Sequence, residues 1–158
     1  MEKPTKKYLS KADALVKLQR FCAYQERCHR EVRSKLLDLG IYGNDLEEII
    51  AALISDNFLN EERYARTFAR GKFRIKQWGR QRILRELKQR DISEYCLRKA
   101  MEEIGEVEYQ ATLKTLLEKK AAMLGATNEF ERKHKLAKFG VQHGFEPDLV
   151  WNCIDKMM

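Results

Sequence analysis

Apolar residues recur every three or four positions through most of this chain, the spacing that places side chains on one face of an α-helix. The first such segment begins near Ser10, which with Asp13 resembles a capping box, and carries Leu15, Leu18, Phe21 and Cys22 on one side. A second, from about His29 to Leu39, carries Val32, Leu36 and Leu39; Gly40 stops it ahead of the turn Ile41-Tyr42-Gly43-Asn44. A third follows from about Asp45 with Leu46, Ile49, Ile50 and Leu53 inside, closed by Ser55-Asp56-Asn57. Asn60 then stands as the cap of a fourth helix, whose Glu61 and Glu62 suit the positive end of the helix dipole. Its packing face is Tyr64, Ala65, Phe68 and Ala69. Gln77-Trp78-Gly79 interrupts, and a helix from about Arg80 to Arg90 turns Ile83, Leu84 and Leu87 inward. After the turn Asp91-Ile92-Ser93 comes a helix with Leu97, Ala100, Met101 and Ile104, ended by Gly105. The last third carries Tyr109, Leu113, Leu116 and Leu117. After Gly125-Ala126-Thr127, with Thr127 as the expected cap, follow Phe130, Leu136 and Phe139, and Pro147 opens a final helix from its first position.

These segments repeat. Shifting the sequence by 51 residues places Val32 on Ile83, Leu36 on Leu87, Ile41 on Ile92, Leu46 on Leu97, Ile50 on Met101 and Leu53 on Ile104. A further shift of 53 places Ile83 on Leu136, Ile92 on Phe145, Leu97 on Val150, Met101 on Ile154 and Ile104 on Met157, while Leu87 falls on Gly140, a mismatch. Three copies of a unit of this size predict a repeat architecture in which neighbours share apolar faces. The expected fold is all-α: three tandem three-helix repeats, nine helices and no sheet, in an elongated body, with or without curvature. We expect a flexible arm at residues 1–9, then repeats at 10–58, 59–105 and 106–158.

Charge changes this picture in one place. The chain of 158 residues carries a formal net charge of +7, yet residues 63–90 hold eleven cations against the single acid Glu86. The basic excess is therefore confined to the middle, and the remainder is slightly acidic. At about 100° per residue, Arg63, Arg66, Arg70 and Arg74 share one side of the fourth helix, opposite its packing face. Lys72 and Lys76 follow on the same helix and its exit. In the fifth helix Arg82, Arg85 and Lys88 turn away from the apolar face, with Arg80 at the start. Surfaces kept only for solubility usually mix both signs. A one-signed stripe over two helices points to a polyanion or an acidic protein surface. The candidate binding residues are thus Arg63, Arg66, Arg70, Lys72, Arg74, Lys76, Arg80, Arg82, Arg85 and Lys88.

Other chemistry finds little support. Two prolines and eight glycines leave long helices uninterrupted. No run approaches the roughly 20 apolar residues of a membrane span, and the basic N-terminus lacks the apolar stretch of a secretory signal; a cytoplasmic protein without membrane attachment is expected. Cys22, Cys28, Cys96 and Cys153 form no C-x-x-C pair, so reduced, buried thiols are expected rather than a metal site. There is no glycine-rich phosphate loop, no H-E-x-x-H and no G-x-S-x-G. The histidines (His29, His134 and His143) have no carboxylates at useful spacing, and Glu47-Glu48, Glu61-Glu62 and Glu102-Glu103 read as helical surface charge. The chain is not expected to be an enzyme or to carry a cofactor. Trp78 could stack on a base, though a tryptophan between two helices more often plugs their packing; Trp151 is expected in the core.

The sequence resembles the RecX family of regulatory proteins over roughly residues 10–157. The middle unit carries the resemblance most sharply, in Phe58-Leu59-Asn60-Glu61-Glu62-Arg63-Tyr64-Ala65, then Phe68, Arg74, Gly79, Arg82-Ile83, Leu87 and Ile92. Arg33-Ser34-Lys35-Leu36 with Leu39-Gly40-Ile41, and Phe139 with His143-Gly144-Phe145, are similar to the family's first and third units. The chain departs from the family at Asn60, where an acid is common, and at Asp91, where glycine is common.

The resemblance implies a modulator, usually an inhibitor, of the RecA recombinase, acting in recombination, DNA repair and the SOS response. Such a protein binds the RecA–DNA filament and suppresses its ATPase and strand exchange. The expected partners are that filament and DNA, single- or double-stranded and without sequence preference, with the protein itself a monomer. The competing reading is a stand-alone nucleic-acid-binding repeat protein, because the turn before Arg80 makes the middle unit superficially a helix-turn-helix. Exposed Arg and Lys suit phosphates, however, and groups for reading base edges are scarce.

Overall fold

The computed structural model describes residues 9–125 and 127–157. Of the arm expected at residues 1–9, only Leu9 falls among them, and it packs against the adjoining core. Ala126, from the break expected at Gly125-Ala126-Thr127, also lies outside the described residues. Among the described residues there are nine helices and no strand: α1 (Lys11–Tyr24), α2 (His29–Asp38), α3 (Gly43–Ser55), α4 (Glu61–Arg74), α5 (Arg80–Gln89), α6 (Glu94–Met101), α7 (Glu106–Met123), α8 (Glu129–Gln142) and α9 (Pro147–Met157). None of them is long and apolar enough to cross a membrane.

Packing divides the chain into two compact units. One runs to Tyr64 and takes in Arg90–Ile92; the other comprises Ala65–Gln89 and Ser93 onward. In the first unit α1, α2 and α3 pack on one another around Leu18, Val32, Leu36, Ile49 and Leu53. In the second, α5 packs on α6, and α7, α8 and α9 pack mutually. Its buried residues include Phe73, Ile83, Leu87, Leu97, Tyr109, Leu117, Leu136, Phe145 and Val150.

Most columns of the sequence repeat coincide with burial, Met101 and Met157 being only half-buried. Val32, Ile83 and Leu136 are fully buried, as are Leu46, Leu97 and Val150 or nearly so. The mismatched Gly140 has a packing reason: a Cβ there would come within 2.9 Å of Val150 Cγ1 and 3.4 Å of Leu117 Cδ2. A leucine at that position would drive α8 off both neighbours. The turn after the second helix of each repeat also keeps one backbone feature. Gly40, Asp91 and Gly144, related by the same two shifts, all have positive φ, at 80°, 58° and 98°. Gly40 and Gly144 sit in the six-to-one closure of a helix C-terminus, with Ile41 N–H donating to Leu36 O at 2.9 Å and Phe145 N–H to Gly140 O at 3.2 Å. Asp91 occupies a conformation for which glycine is the default and Asp a tolerated substitute, the physical content of the family difference at that site.

Caps fall mostly where expected. Ser10 Oγ accepts from Asp13 N–H at 3.2 Å, and Asn60 Oδ1 from Arg63 N–H at 2.9 Å. Thr127 does not cap α8; Asn128 does, accepting from Glu131 N–H at 2.8 Å. The apolar spacing marks the helix but not which of two adjacent polar residues turns into it. Three aromatic and thiol placements also differ. Phe130 is 70% exposed, Trp151 is half-buried against His134 with ring centres 5.2 Å apart, and Cys153 is half-buried. Cys28 is buried just ahead of α2, where Glu31 Oε1 accepts from its N–H at 3.3 Å and its thiol at 3.4 Å. Burial pushes that thiol's pKa up, which keeps it protonated and unreactive.

Candidate interaction surface

The ten cations singled out by sequence do not share one environment. Arg63 belongs to the first unit. Its Nε meets Glu26 Oε1 at 2.6 Å, and its terminal nitrogen donates to the carbonyls of Asn57 and Phe58 at 3.1 and 3.2 Å. It ties the start of α4 to the loop before it. The remaining nine lie in the second unit.

Along α4, Arg66 donates to Glu102 Oε2 at 3.0 Å and to Glu103 Oε1 at 3.3 Å. Arg70 reaches the same Glu103 oxygen at 3.2 Å, and Arg74 pairs with Glu108 at 3.9 Å. The stripe that sequence periodicity turned outward is thus lined by acids from the end of α6 and the start of α7. Hydrogen bonding from Arg66, with Lys99 beside it, holds Glu102 below the ordinary carboxylate range; Arg70, then Arg66, does the same for Glu103. The sequence carried a signal for this: four glutamates fall between residues 102 and 108, a local acidic cluster directly after the basic stretch.

These depressed values fix a pH dependence. A carboxyl with a lowered folded-state pKa contributes stability that is present above its ordinary value and is lost as pH falls through the depressed one. Replacing Glu102 and Glu103 by glutamine should therefore lower the thermal midpoint slightly at about pH 7, with the gap closing towards about pH 3 and in high salt. A gap of constant size across that range would show that the pairs contribute nothing.

Arg80 forms a separate node at the start of α5. Its guanidinium lies 3.8 Å above the ring of buried Tyr109, bonds Glu146 at 2.9 Å and also pairs with Glu106. Its backbone N–H donates to the Tyr109 hydroxyl at 2.9 Å, and that hydroxyl in turn donates to Glu146. Just before it, Gly79 N–H donates to His143 O at 2.8 Å and Gln81 N–H to Gly144 O at 3.0 Å. The first N–H groups of a helix lack partners within the helix; here the turn between α8 and α9 and a tyrosine supply them.

Three of the remaining five face outward. Lys76, Arg85 and Lys88 are exposed, and among the described residues none of them pairs with a carboxylate. Lys72 and Arg82 flank half-buried Trp78, with Lys72 Nζ 4.9 Å and the Arg82 guanidinium 4.1 Å from its ring centre. Phe68 meets the same indole edge-on at 6.3 Å. Trp78 therefore packs between α4 and α5 and carries cations on its rim, at spacings favourable for cation–π attraction. Among the described residues there is no group of three or more His, Cys, Asp or Glu placed to hold a metal ion.

The family descriptions "RecX, second three-helix domain" and "RecX, third three-helix domain" match residues 60–101 and 106–154. The Regulatory protein RecX of Prosthecochloris aestuarii is 27% identical over 153 residues, covering 95% of this chain and 99% of the relative. That of Bacillus cytotoxicus is 23% identical over 137 residues, covering 87% of this chain and 51% of the relative. The chain thus spans about half the length of the Bacillus relatives it matches. Among solved structures, RecX from Lactobacillus salivarius superposes with a TM-score of 0.84 at 22% identity, covering 93% of this chain and 96% of that one. Another regulatory protein RecX gives 0.83 at 20% identity, with 92% and 73% covered.

Proposed function

The chain belongs to the RecX family of regulatory proteins, and from that premise we propose that it regulates the RecA recombinase, binding the RecA–DNA filament and lowering its ATPase and strand exchange. The observation that carries the choice of surface is the division among the ten cations. Arg66, Arg70, Arg74 and Arg80 have their charge answered within the second unit, so they act as scaffold. Lys76, Arg85 and Lys88, with Lys72 and Arg82 around Trp78, remain to meet an anionic partner. Unpaired exposed cations release counterions when they meet phosphates, whereas an arginine must first give up its own carboxylate. The Arg82 fork suits phosphate or carboxylate equally, so filament DNA and an acidic filament surface are both fitting contacts.

The test is DNA-dependent ATP hydrolysis by the cognate RecA, titrated with three forms of this protein. Wild type should lower the rate. Changing Lys76, Arg85 and Lys88 together to glutamate should raise the concentration for half-inhibition by tenfold or more, since three lost phosphate contacts weaken binding on the order of 10- to 100-fold. Changing Arg66, Arg70 and Arg74 to alanine should act chiefly on stability. An ATPase untouched by stoichiometric wild type would sink the filament reading. Tight, steeply salt-dependent binding to bare DNA in that same case would favour the stand-alone nucleic-acid binder, which the cation-rimmed Trp78 also suits.

A further inference from the structure

A second basic and aromatic surface lies on the first unit, outside the charged stretch. One face of α1 carries Lys17, Arg20 and Tyr24, spaced i, i+3 and i+7, so the three line up along the helix. They rim an open groove of about 650 Å³ that Phe21 and Lys35 also line. Lys17 and Arg20 are exposed, and among the described residues no carboxylate pairs with Lys17, Arg20 or Lys35; Asp13 is the one acid on the groove wall.

The floor is held rigid. Arg27 lays its guanidinium 3.7 Å from the Phe21 ring centre, donates from Nε to Phe21 O at 3.0 Å and pairs with Glu31 at 3.6 Å. Its side chain is only 13% exposed, so it serves as structure, not as a free cation. Tyr24, by contrast, is 83% exposed, with Arg27 6.0 Å from its ring centre. An aromatic ring left open beside three unpaired cations needs an explanation that charge alone does not supply.

We propose that this groove binds an unpaired nucleic-acid strand, with a base stacked on Tyr24 and the flanking phosphates on Lys17, Arg20 and Lys35. The chemistry selects that occupant. Charge complementarity calls for a polyanion, and an exposed ring gains most from a partner with a flat apolar face. In a duplex those faces are already covered by neighbouring base pairs, so a duplex would engage the lysines and arginine and leave Tyr24 unused. An acidic peptide offers carboxylates without the ring-sized faces. The site is independent of the cations proposed above, and this chain then has two separate places to hold a strand.

The test uses the full chain in the Lys76→Glu, Arg85→Glu, Lys88→Glu background, so that the surface on the second unit does not mask the first. Fluorescence anisotropy would follow binding of labelled oligothymidylate of about 20 nucleotides, a duplex of equal length and a polyglutamate peptide. Tyr24→Ala should weaken oligothymidylate binding roughly 5- to 100-fold and leave duplex binding within about twofold. Lys17→Glu with Arg20→Glu should weaken both and flatten the salt dependence by up to about two phosphate contacts. Because all three side chains are exposed, unchanged thermal midpoints should accompany these losses. Equal oligothymidylate binding with and without Tyr24 overturns the proposal, as does absence of binding. A polyglutamate peptide that binds as tightly and loses as much on Tyr24→Ala also overturns it, in favour of an acidic protein segment. Loss of ATPase control with this Tyr24 effect intact would instead count against the filament reading alone.

Discussion

Gly79→Ala should destabilise the second unit by about 3 kcal/mol or more, a large effect for one methyl group. The residue is buried, and a Cβ there would lie 2.3 Å from the Gly144 carbonyl carbon, the Gly144 oxygen and the Phe145 nitrogen. All three are backbone atoms, so no side chain can swing aside. The clash is relieved only by parting the α8–α9 turn from α5. That separation breaks the Gly79 and Gln81 N–H bonds to His143 O and Gly144 O, and a buried donor left unsatisfied, as that of Gly79 would be, costs about 1–3 kcal/mol. The contact is equally tight from the other side. Gly144 has φ of +98°, and its Cβ would sit 2.3 Å from Arg82 Cβ. Urea unfolding followed by tryptophan fluorescence is the suitable measurement, because Trp78 and Trp151 both belong to this unit. A variant within about 1 kcal/mol of wild type would show that the turn gives way more easily than its geometry indicates.

Tyr109 carries the second large expectation. It is fully buried, with ring centres 4.9 Å from Phe145 and 5.8 Å from Phe73. Tyr109→Ala should cost about 3–5 kcal/mol, in line with emptying an aromatic site in a packed core. Tyr109→Phe keeps the ring and removes only the hydroxyl, leaving Arg80 N–H without its acceptor and Glu146 with the Arg80 guanidinium but without the hydroxyl donor on Oε1. About 1–3 kcal/mol should go with it. The pair of variants separates packing from hydrogen bonding. If phenylalanine matches tyrosine in the same unfolding experiment, the polar node at Arg80 adds specificity but no net stability.

The sequence places Tyr109 on an apolar helical face and Gly79 in the break between two helices, but it does not name what they touch, and the reason follows from what periodicity can report. Spacing of apolar residues is a property of one helix at a time. It located the helices, and it ranked Val32, Ile83 and Leu136 as equivalent interior positions because each faces inward from its own helix. It also recorded Gly140 as an exception. It could not show that Val150 and Leu117 press on Gly140, since that requires knowing which helices meet.

The arginine stripe illustrates the same limit. Arg66, Arg70 and Arg74 do share a side of α4, as their spacing dictates, yet that side meets Glu102, Glu103 and Glu108. Facing away from the apolar side of one's own helix is not the same as facing water. The short acidic run after residue 101 was visible, but only the fold shows that it lies against the stripe. Lys76, Arg85 and Lys88 satisfied both conditions, and they are the members of the set that remain outward.

The joint at Gly79 also bears on the order in which this unit can be completed. Arg80 and Glu146 are separated by 66 positions in sequence, so the first turn of α5 is finished by residues that a ribosome adds much later. Until the segment around residues 143–146 emerges, the Gly79 and Gln81 amides have only water as a partner. A nascent chain halted before that point holds α4 to α7 with an open seam along the start of α5. Closing that seam forms a long-range contact, which makes it a late and comparatively slow event in folding.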